Sequence, residues 1–475
     1  MSEPRHAAGT RPVTFGALLK NREFGALFAA SAVSWMGDFL ARAAITALVF
    51  SNTRSVALSA TAFAISYLPG LTCGPLLAAM AERYPNRSVM IACDVGRAVL
   101  ISLVAIPHLP VGALFGLLFA TSLLNAPFDA SRSALLPRLL TGDAYISGVS
   151  LQTTTNSLAQ VCGYFAGGAM APFHPHIAIA LDALTFLASA ALVQAGIQHR
   201  DPIAEPQAAR RSLIRETAAG FRLVLGRPVL RAIAIVVFVA WMFAVVPEAL
   251  GAAWAAHLSH NVSGRGVDQA IIMMSVPIGT LLGAVVVGRL LRPERRRSLI
   301  RPLAMLTPLA LVPTFLGPSA AGVAVLAGIA GFAVGGLVPP ANGLFVQALP
   351  SAYRARAFGV MQFGLQLVQA VGIFCTGAIA ERFTVPHAVG LWSLVGVCVM
   401  AGAIVLWPSN QRIDEAIAQV RAENAEAGSA RGRHAARPSP HPDLAAPRQP
   451  IRAANPMSTV TPVTDGVPAP GGLDA

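Results

Sequence analysis

The stretch Gln160-Val-Cys-Gly163-Tyr-Phe-Ala-Gly167-Gly168-Ala-Met-Ala171 returns 209 residues later as Gln369-Ala-Val-Gly372-Ile-Phe-Cys-Thr-Gly377-Ala-Ile-Ala380. Two further matches flank it with a small drift in offset. Gly74-Pro-Leu-Leu answers Gly279-Thr-Leu-Leu, and the spacing Pro127 to Pro137 answers Pro340 to Pro350. The glycines in both copies have the spacing that lets helix backbones approach closely in lipid. A chain that repeats such a segment across its length is two copies of one membrane unit.

Composition fixes the solvent. Of 475 residues, 55% are hydrophobic and 12% charged, and the mean hydropathy is +0.61. A water-soluble domain of ordinary surface-to-volume ratio does not reach such values. The net charge of +13 would suggest nucleic acid in a soluble protein, but the arginines here fall in short loops on one side of the apolar runs, so the charge reads as topology. Cys73, Cys93, Cys162, Cys375 and Cys398 all lie inside apolar stretches, with no Cys-x-x-Cys pair and no histidine cluster beside them. They indicate neither disulfides nor a metal. Arg5, Arg11, Lys20 and Arg22 precede a long apolar run without a small-residue cleavage site, which reads as a retained first span rather than a signal peptide. Lys20 is the single lysine, a bias of GC-rich bacterial genomes.

About 20 apolar residues cross the hydrocarbon core as a helix, and twelve such stretches are present: 24–50, 56–80, 89–108, 111–138, 145–170, 176–198, 229–257, 266–291, 302–317, 319–348, 357–382 and 386–407. With the N-terminus inside, the inner loops hold Arg83, Arg87, Arg138, the arginines from Arg200 to Arg231, those from Arg289 to Arg301, and Arg354 with Arg356. The outer loops hold Arg54, Arg265 and Arg382. This asymmetry places both termini in the cytoplasm and agrees with an even span count. The expected organisation is a cytoplasmic N-terminus (1–22), a six-helix half (23–198), a cytoplasmic connector with an amphipathic surface helix (199–228), a second six-helix half (229–408), and a disordered cytoplasmic tail (409–475).

A charge within the bilayer costs about 2.5 to 3.5 kcal/mol on insertion scales, so each ionisable residue inside a span needs a partner, water or a task. Asp38 and Arg42 stand one turn apart, either a self-neutralising pair or part of ion coupling. Asp94 with Arg97, and Asp129 with Arg132, repeat the pairing three residues apart and read as an inner-gate network that remakes itself as the halves move. Glu248, after Pro247, has no arginine or lysine within a turn. It is the leading single proton carrier, unless it lies hydrated at the outer end of its helix; Asp182 carries the same reading more weakly. Gln152, Asn156 and Gln160 form one polar stripe, and Gln362, Gln366 and Gln369 another. Each either joins helices or lines a pore. No phosphate-binding loop, metal-ligand cluster or nucleophile elbow is present, so neither ATP drive nor enzymatic turnover is expected.

These elements resemble the major facilitator superfamily. Asn21-Arg-Glu-Phe followed by Ser34-Trp-Met-Gly-Asp38 is similar to the bacterial branch of enterobactin-exporter-like and drug-efflux proteins. Gly74-Pro-Leu-Leu-Ala-Ala-Met-Ala-Glu82-Arg83-Tyr-Pro-Asn-Arg87 resembles the superfamily's G-x-L-a-D-r-x-x-r-R signature loop, with Glu82 where Asp is usual. Gly163-Tyr-Phe-Ala-Gly167-Gly168 resembles the G-P-x-x-G-G motif of exporters, with Tyr164 in the proline position. The resemblance covers about 22 to 408. It implies an all-α fold of twelve transmembrane helices in two pseudo-symmetric halves around a central cavity, with Asp38, Arg42, Asn125, Asp129, Glu248 and Asn342 on cavity helices.

The expected activity is proton-driven export of amphiphilic small molecules by alternating access, with Asp38 and Glu248 as proton carriers and Asp94, Arg97 and Arg132 at the inner gate. Uptake or facilitated diffusion on the same fold is the alternative, and a lipid-handling or non-transporting interaction protein another. Expected partners are a small-molecule substrate, protons and membrane lipid, with no nucleic acid, cofactor or metal, in a monomer of the bacterial cytoplasmic membrane.

Overall fold

The structure is a computed structural model and describes residues 15–71, 83–200 and 213–435. Each of the twelve apolar stretches, where described, falls on a helix. The first half holds α1 (Arg22–Thr53), α2 (Val56–Ala64, running on through a 3-10 turn to Leu71), α3 (Asn86–Val104), α4 (Val111–Leu139), α5 (Asp143–Met170) and α6 (Pro175–Gly196). The connecting helix α7 is Leu213–Gly226. The second half holds α8 (Pro228–Leu258), α9 (Val262–Leu290), α10 (Arg295–Leu316), α11 (Ala320–Gln347), α12 (Arg354–Ala380) and α13 (Val385–Val405). Among the described residues, nine of the twelve helices outside the connecting α7 are by themselves long and apolar enough to cross a membrane. The exceptions have local reasons: the described part of α2 is short, α3 carries Asp94 and Arg97, and α5 carries the Gln152 stripe.

Capping residues set where helices begin. The Asn21 side chain accepts from the backbone N–H groups of Glu23 and Phe24, at 3.1 and 3.2 Å, which gives the Asn21-Arg-Glu-Phe opening a physical meaning. Ser55, Asn261 and Ser319 cap α2, α9 and α11 in the same way. Arg54 closes α1 in the left-handed region, with φ 56°, so α1 and α2 form a tight hairpin. Helix alternation then gathers most arginines at one end of the bundle, here the basic end, and leaves Arg54, Arg265 and Arg382 at the opposite end.

The quoted repeat proves to be a two-sided packing surface. A Cβ on Gly163 of α5 would lie 2.7 Å from the Met36 carbonyl of α1, and one on Gly372 of α12 would lie 2.5 Å from the Met242 carbonyl of α8. Each first glycine thus seats its helix inside its own half. The last glycine of each copy faces the other half: a Cβ on Gly168 would lie 2.7 Å from the Ala270 backbone of α9, and one on Gly377 would lie 2.8 Å from the Ala60 side chain of α2. Gly266 of α9 completes the first of these seams, with a Cβ position 2.8 Å from the Ala169 carbonyl.

One boundary differs from expectation. Beyond residue 409 the sequence suggests a short amphipathic turn and a disordered tail, whereas the structure has a helix, α14 (Asn410–Ala435). The compact unit that holds both halves runs to Asn424. Ile413 and Ile417 are buried at 0% and 6% exposure in the core of the second half, and Val420 is 2% exposed. Arg297 pairs with Asp414 at 2.6 Å and donates to the Asn410 carbonyl at 3.0 Å, and Asn424 Oδ1 accepts from the Ser351 hydroxyl at 2.9 Å. Tertiary burial on one face supplies what the weak apolar period alone does not. Ile413→Ala should therefore cost about 2–5 kcal/mol of local packing and speed tryptic cleavage after Arg412 and Arg421; unchanged digestion would show that the helix does not depend on that burial.

Candidate functional site

Span α8 breaks where it passes the centre of the bundle. One helical segment ends at Ala244 and the next begins at Val246, because Pro247 has no N–H to continue the ladder. Glu248 sits one residue past that proline, 4% exposed, so it is not hydrated at an outer helix end. Its Oε2 accepts from the Tyr164 hydroxyl at 3.1 Å and from Gln160 Nε2 at 3.4 Å. Both donors belong to α5 of the first half, so the carboxyl joins the two halves. Tyr164 is itself fully buried and packs edge-on against Phe39, centroids 5.3 Å apart.

Arg42 supplies the positive charge in range of Glu248. Its guanidinium lies 5.4 Å from the Phe39 ring centre, 5.3 Å from Phe63 and 6.0 Å from Tyr67, an aromatic surround that stabilises a cation away from water. Among the described residues no ion pair joins Arg42 to Asp38. Of the two readings left open by the sequence, the self-neutralising pair is not seen, because α1 presents Arg42 toward Phe39, Phe63 and Tyr67.

That interior is a second polar cluster. Arg97 pairs with Asp94 and donates to Asn125 Oδ1 at 2.8 Å, and its guanidinium is held between the Phe128 and Phe186 rings, each 4.4 Å away. Asp94 and Arg97 are 0% and 2% exposed, so these two members of the expected inner-gate network are buried within the first half. Arg132 pairs with Asp129 at 3.0 Å and lies 4.8 Å from the Trp35 ring, with the Asp129 side chain 54% exposed. Asn342 is partly exposed on α11 and makes no hydrogen bond among the described residues. Arg87 donates to the Gln194 carbonyl at 2.6 Å, fastening α3 to α6; Arg83 is exposed, and Gly74 and Glu82 lie outside the described residues.

Side-chain hydrogen bonds between the halves are one-sided among the described residues. Besides Glu248, Gln269 of α9 donates to the Ala43 carbonyl at 2.8 Å, and Glu381, just past α12, accepts from the Ser55 hydroxyl at 2.5 Å and the Ala57 N–H at 2.8 Å. Among the described residues no side-chain hydrogen bond or ion pair joins the halves on the basic side of Glu248. The basic-end part of α4, with Asp129 and Arg132, packs on α1, α3 and the rest of α4 in its own half. The structure is thus closed at the opposite end. Tyr164 and Gln269 escape a reading of the sequence: the first stands as a departure from a motif, the second as one glutamine in an apolar run, and only their partners mark them.

The Glu381 clasp has a pH dependence whose sign follows from its geometry. The Ser55 hydroxyl, with the Ala57 N–H, holds the Glu381 carboxyl below the usual carboxylate range, against a small opposing effect of burial. Because the value is lower in the closed state, the clasp's stabilisation is fully present above the ordinary glutamate value of about 4.3 and is lost as pH falls through the depressed one. We expect Ala60→Cys, at a site 0% exposed in the closed state, to react faster with an impermeant thiol reagent at neutral pH when Glu381→Gln is added. Labelling that ignores this change would show that the clasp carries no closing energy.

A family model described as the Major Facilitator Superfamily matches residues 27–373. Macrolide efflux protein A of Streptococcus pyogenes is 22% identical over 399 residues, covering 81% of this chain and 95% of that protein. Among solved structures, a POT family transporter in complex with 5-aminolevulinic acid superposes with a TM-score of 0.66 at 14% identity, over 84% of this chain and 98% of the other. The nucleoside transporter NupG gives 0.62 at 14% identity, over 81% and 100%. At such identities the solved structures speak for the fold.

Proposed function

The chain belongs to the Major Facilitator Superfamily, and on that premise we propose that it is a secondary active exporter of amphiphilic small molecules, driven by the proton gradient through alternating access. The observation that carries the reading is Glu248, a buried carboxyl of one half held by Tyr164 and Gln160 of the other. Such a group must exchange partners whenever the halves part, and its charge state sets the cost of parting them. A proton taken up from the opposite side and released at the basic side can therefore be exchanged for substrate moving outward. Asp38 and Arg42 contribute the neighbouring charges, while Asp94, Arg97 and Asn125 hold the first half rigid as it rocks. The half-exposed Asp129 and the Arg132–Trp35 pair stand where substrate enters from the basic end. The outward direction draws on the macrolide efflux relative and on the Gly163–Gly168 motif. The basic end faces the cytoplasm under the positive-inside rule, with both termini on that side of a bacterial cytoplasmic membrane.

The test compares small-molecule profiles of cells and medium between a deletion strain and its complemented parent. A compound that accumulates inside and is missing outside supports export and names the cargo. A medium component left unconsumed would overturn the outward direction, and unchanged profiles during growth on a broad panel of amphiphiles would overturn the transport reading.

A further inference from the structure

Six arginines stand between Arg289 and Arg301 with one acid, Glu294, and the structure divides them by task. Three are engaged inside the protein. Arg296 Nε donates to the Leu291 carbonyl at 2.8 Å, Arg297 pairs with Asp414 at 2.6 Å and donates to the Asn410 carbonyl, and Arg301 reaches the Pro408 carbonyl at 3.5 Å. These bonds fasten the α9–α10 turn to itself and to the start of α14. The other three, Arg289, Arg292 and Arg295, are exposed and make no hydrogen bond or ion pair among the described residues.

What lies beside them decides their partner. Ile278, Leu282 and Val285 follow one another on α9 at helical spacing and are all exposed, as are Val325 and Ile329 of α11. Ile278, Leu282, Val325 and Ile329 line an open groove between the two helices, floored by Gly279 and Gly328. A face of exposed aliphatic side chains on a spanning helix is one that meets hydrocarbon. Arg289 continues that stripe one turn past Val285, about 10 Å along the axis from Leu282 at roughly 1.5 Å per residue. Leu290, 73% exposed, lies between Arg289 and Arg292 in sequence and extends the apolar surface to the edge of the basic patch. The apolar stem of an arginine can lie along such a stripe while its guanidinium reaches the polar layer. The layer that adjoins hydrocarbon in a bilayer carries phosphate, and the guanidinium fork matches phosphate oxygens.

We propose that Arg289, Arg292 and Arg295 form a binding site for the headgroup of an anionic phospholipid at the basic end of the second half, with an acyl chain lying along Val285, Leu282 and Ile278. The inward arginines hold the turn in place, so the outward ones are presented together before any lipid arrives. The site does not depend on what the protein carries or in which direction.

The test is native mass spectrometry of the full chain in detergent, titrated with phosphatidylglycerol and, separately, with phosphatidylcholine. The first phosphatidylglycerol should bind more tightly than phosphatidylcholine, and Arg289→Gln should weaken it about fivefold, the effect of one basic residue beside an anionic lipid headgroup. Adding Arg292→Gln and Arg295→Gln should bring it down to the level of phosphatidylcholine. A matched variant, Arg138→Gln with Arg222→Gln and Arg231→Gln, removes three other exposed arginines of the same end and should leave the first affinity unchanged. Equal losses in the two triple variants would mean diffuse charge instead of a site and overturn the proposal, as would a first triple variant that binds like the parent. Glycerol phosphate binding as tightly as the lipid would assign the patch to a soluble anion and overturn it equally. Should the first triple variant fail to fold, Arg289→Gln alone decides, an unchanged affinity counting against the site.

Discussion

Replacing Glu248 with Gln should abolish uphill transport while leaving exchange of substrate down its own gradient intact. Gln keeps the volume and an acceptor for Tyr164 and Gln160, so the closed packing at the opposite end survives. What disappears is the option of holding and releasing a proton at the point where the halves meet. Adding Asp38→Asn removes the neighbouring acid, and the pair should be uncoupled completely. Tyr164→Phe should be milder: it deletes one buried donor, worth about 1–1.5 kcal/mol, or roughly a tenfold shift in the balance between closed and open forms. Proteoliposomes with an imposed pH gradient provide the measurement. Full uphill activity in the double mutant would remove both acids from the mechanism.

Gly168→Val should hold the opposite end open. A Cβ at this position already meets the Ala270 backbone at 2.7 Å, and backbone cannot swing aside as a side chain can. Overpacking of this kind costs about 1–3 kcal/mol. In a carrier whose two forms differ by only a few kcal/mol, the cost falls on the closed form alone and moves the population by about five- to 150-fold. Gly163→Val is the matched control. Its clash is with Met36 and Phe39 of its own half, so it should lower thermal stability and yield without favouring either form. Labelling of Ala60→Cys from the opposite side separates the two: fast in Gly168→Val, slow in any Gly163→Val protein that folds. Equal labelling in both would mean that the α5–α9 seam does not set the closed state.

The twelve helices and the duplicated plan were legible in the order of the residues. Those properties are local: apolar length sets a span, Asn21 and Ser55 start helices, and a glycine every few residues prepares a close approach. Spacing along one helix also found the Asp94–Arg97 and Asp129–Arg132 pairs. It left Asp38 and Arg42 open between a mutual pair and separate tasks, and it missed the helix after Asn410, which depends on a groove in the second half. Which residues act across the molecule emerged only once the chain was folded. Tyr164 and Glu248 are 84 residues apart, Ala43 and Gln269 226, and Ser55 and Glu381 326. No period or motif spans such intervals, because each contact exists only where the surface of one finished half meets that of the other.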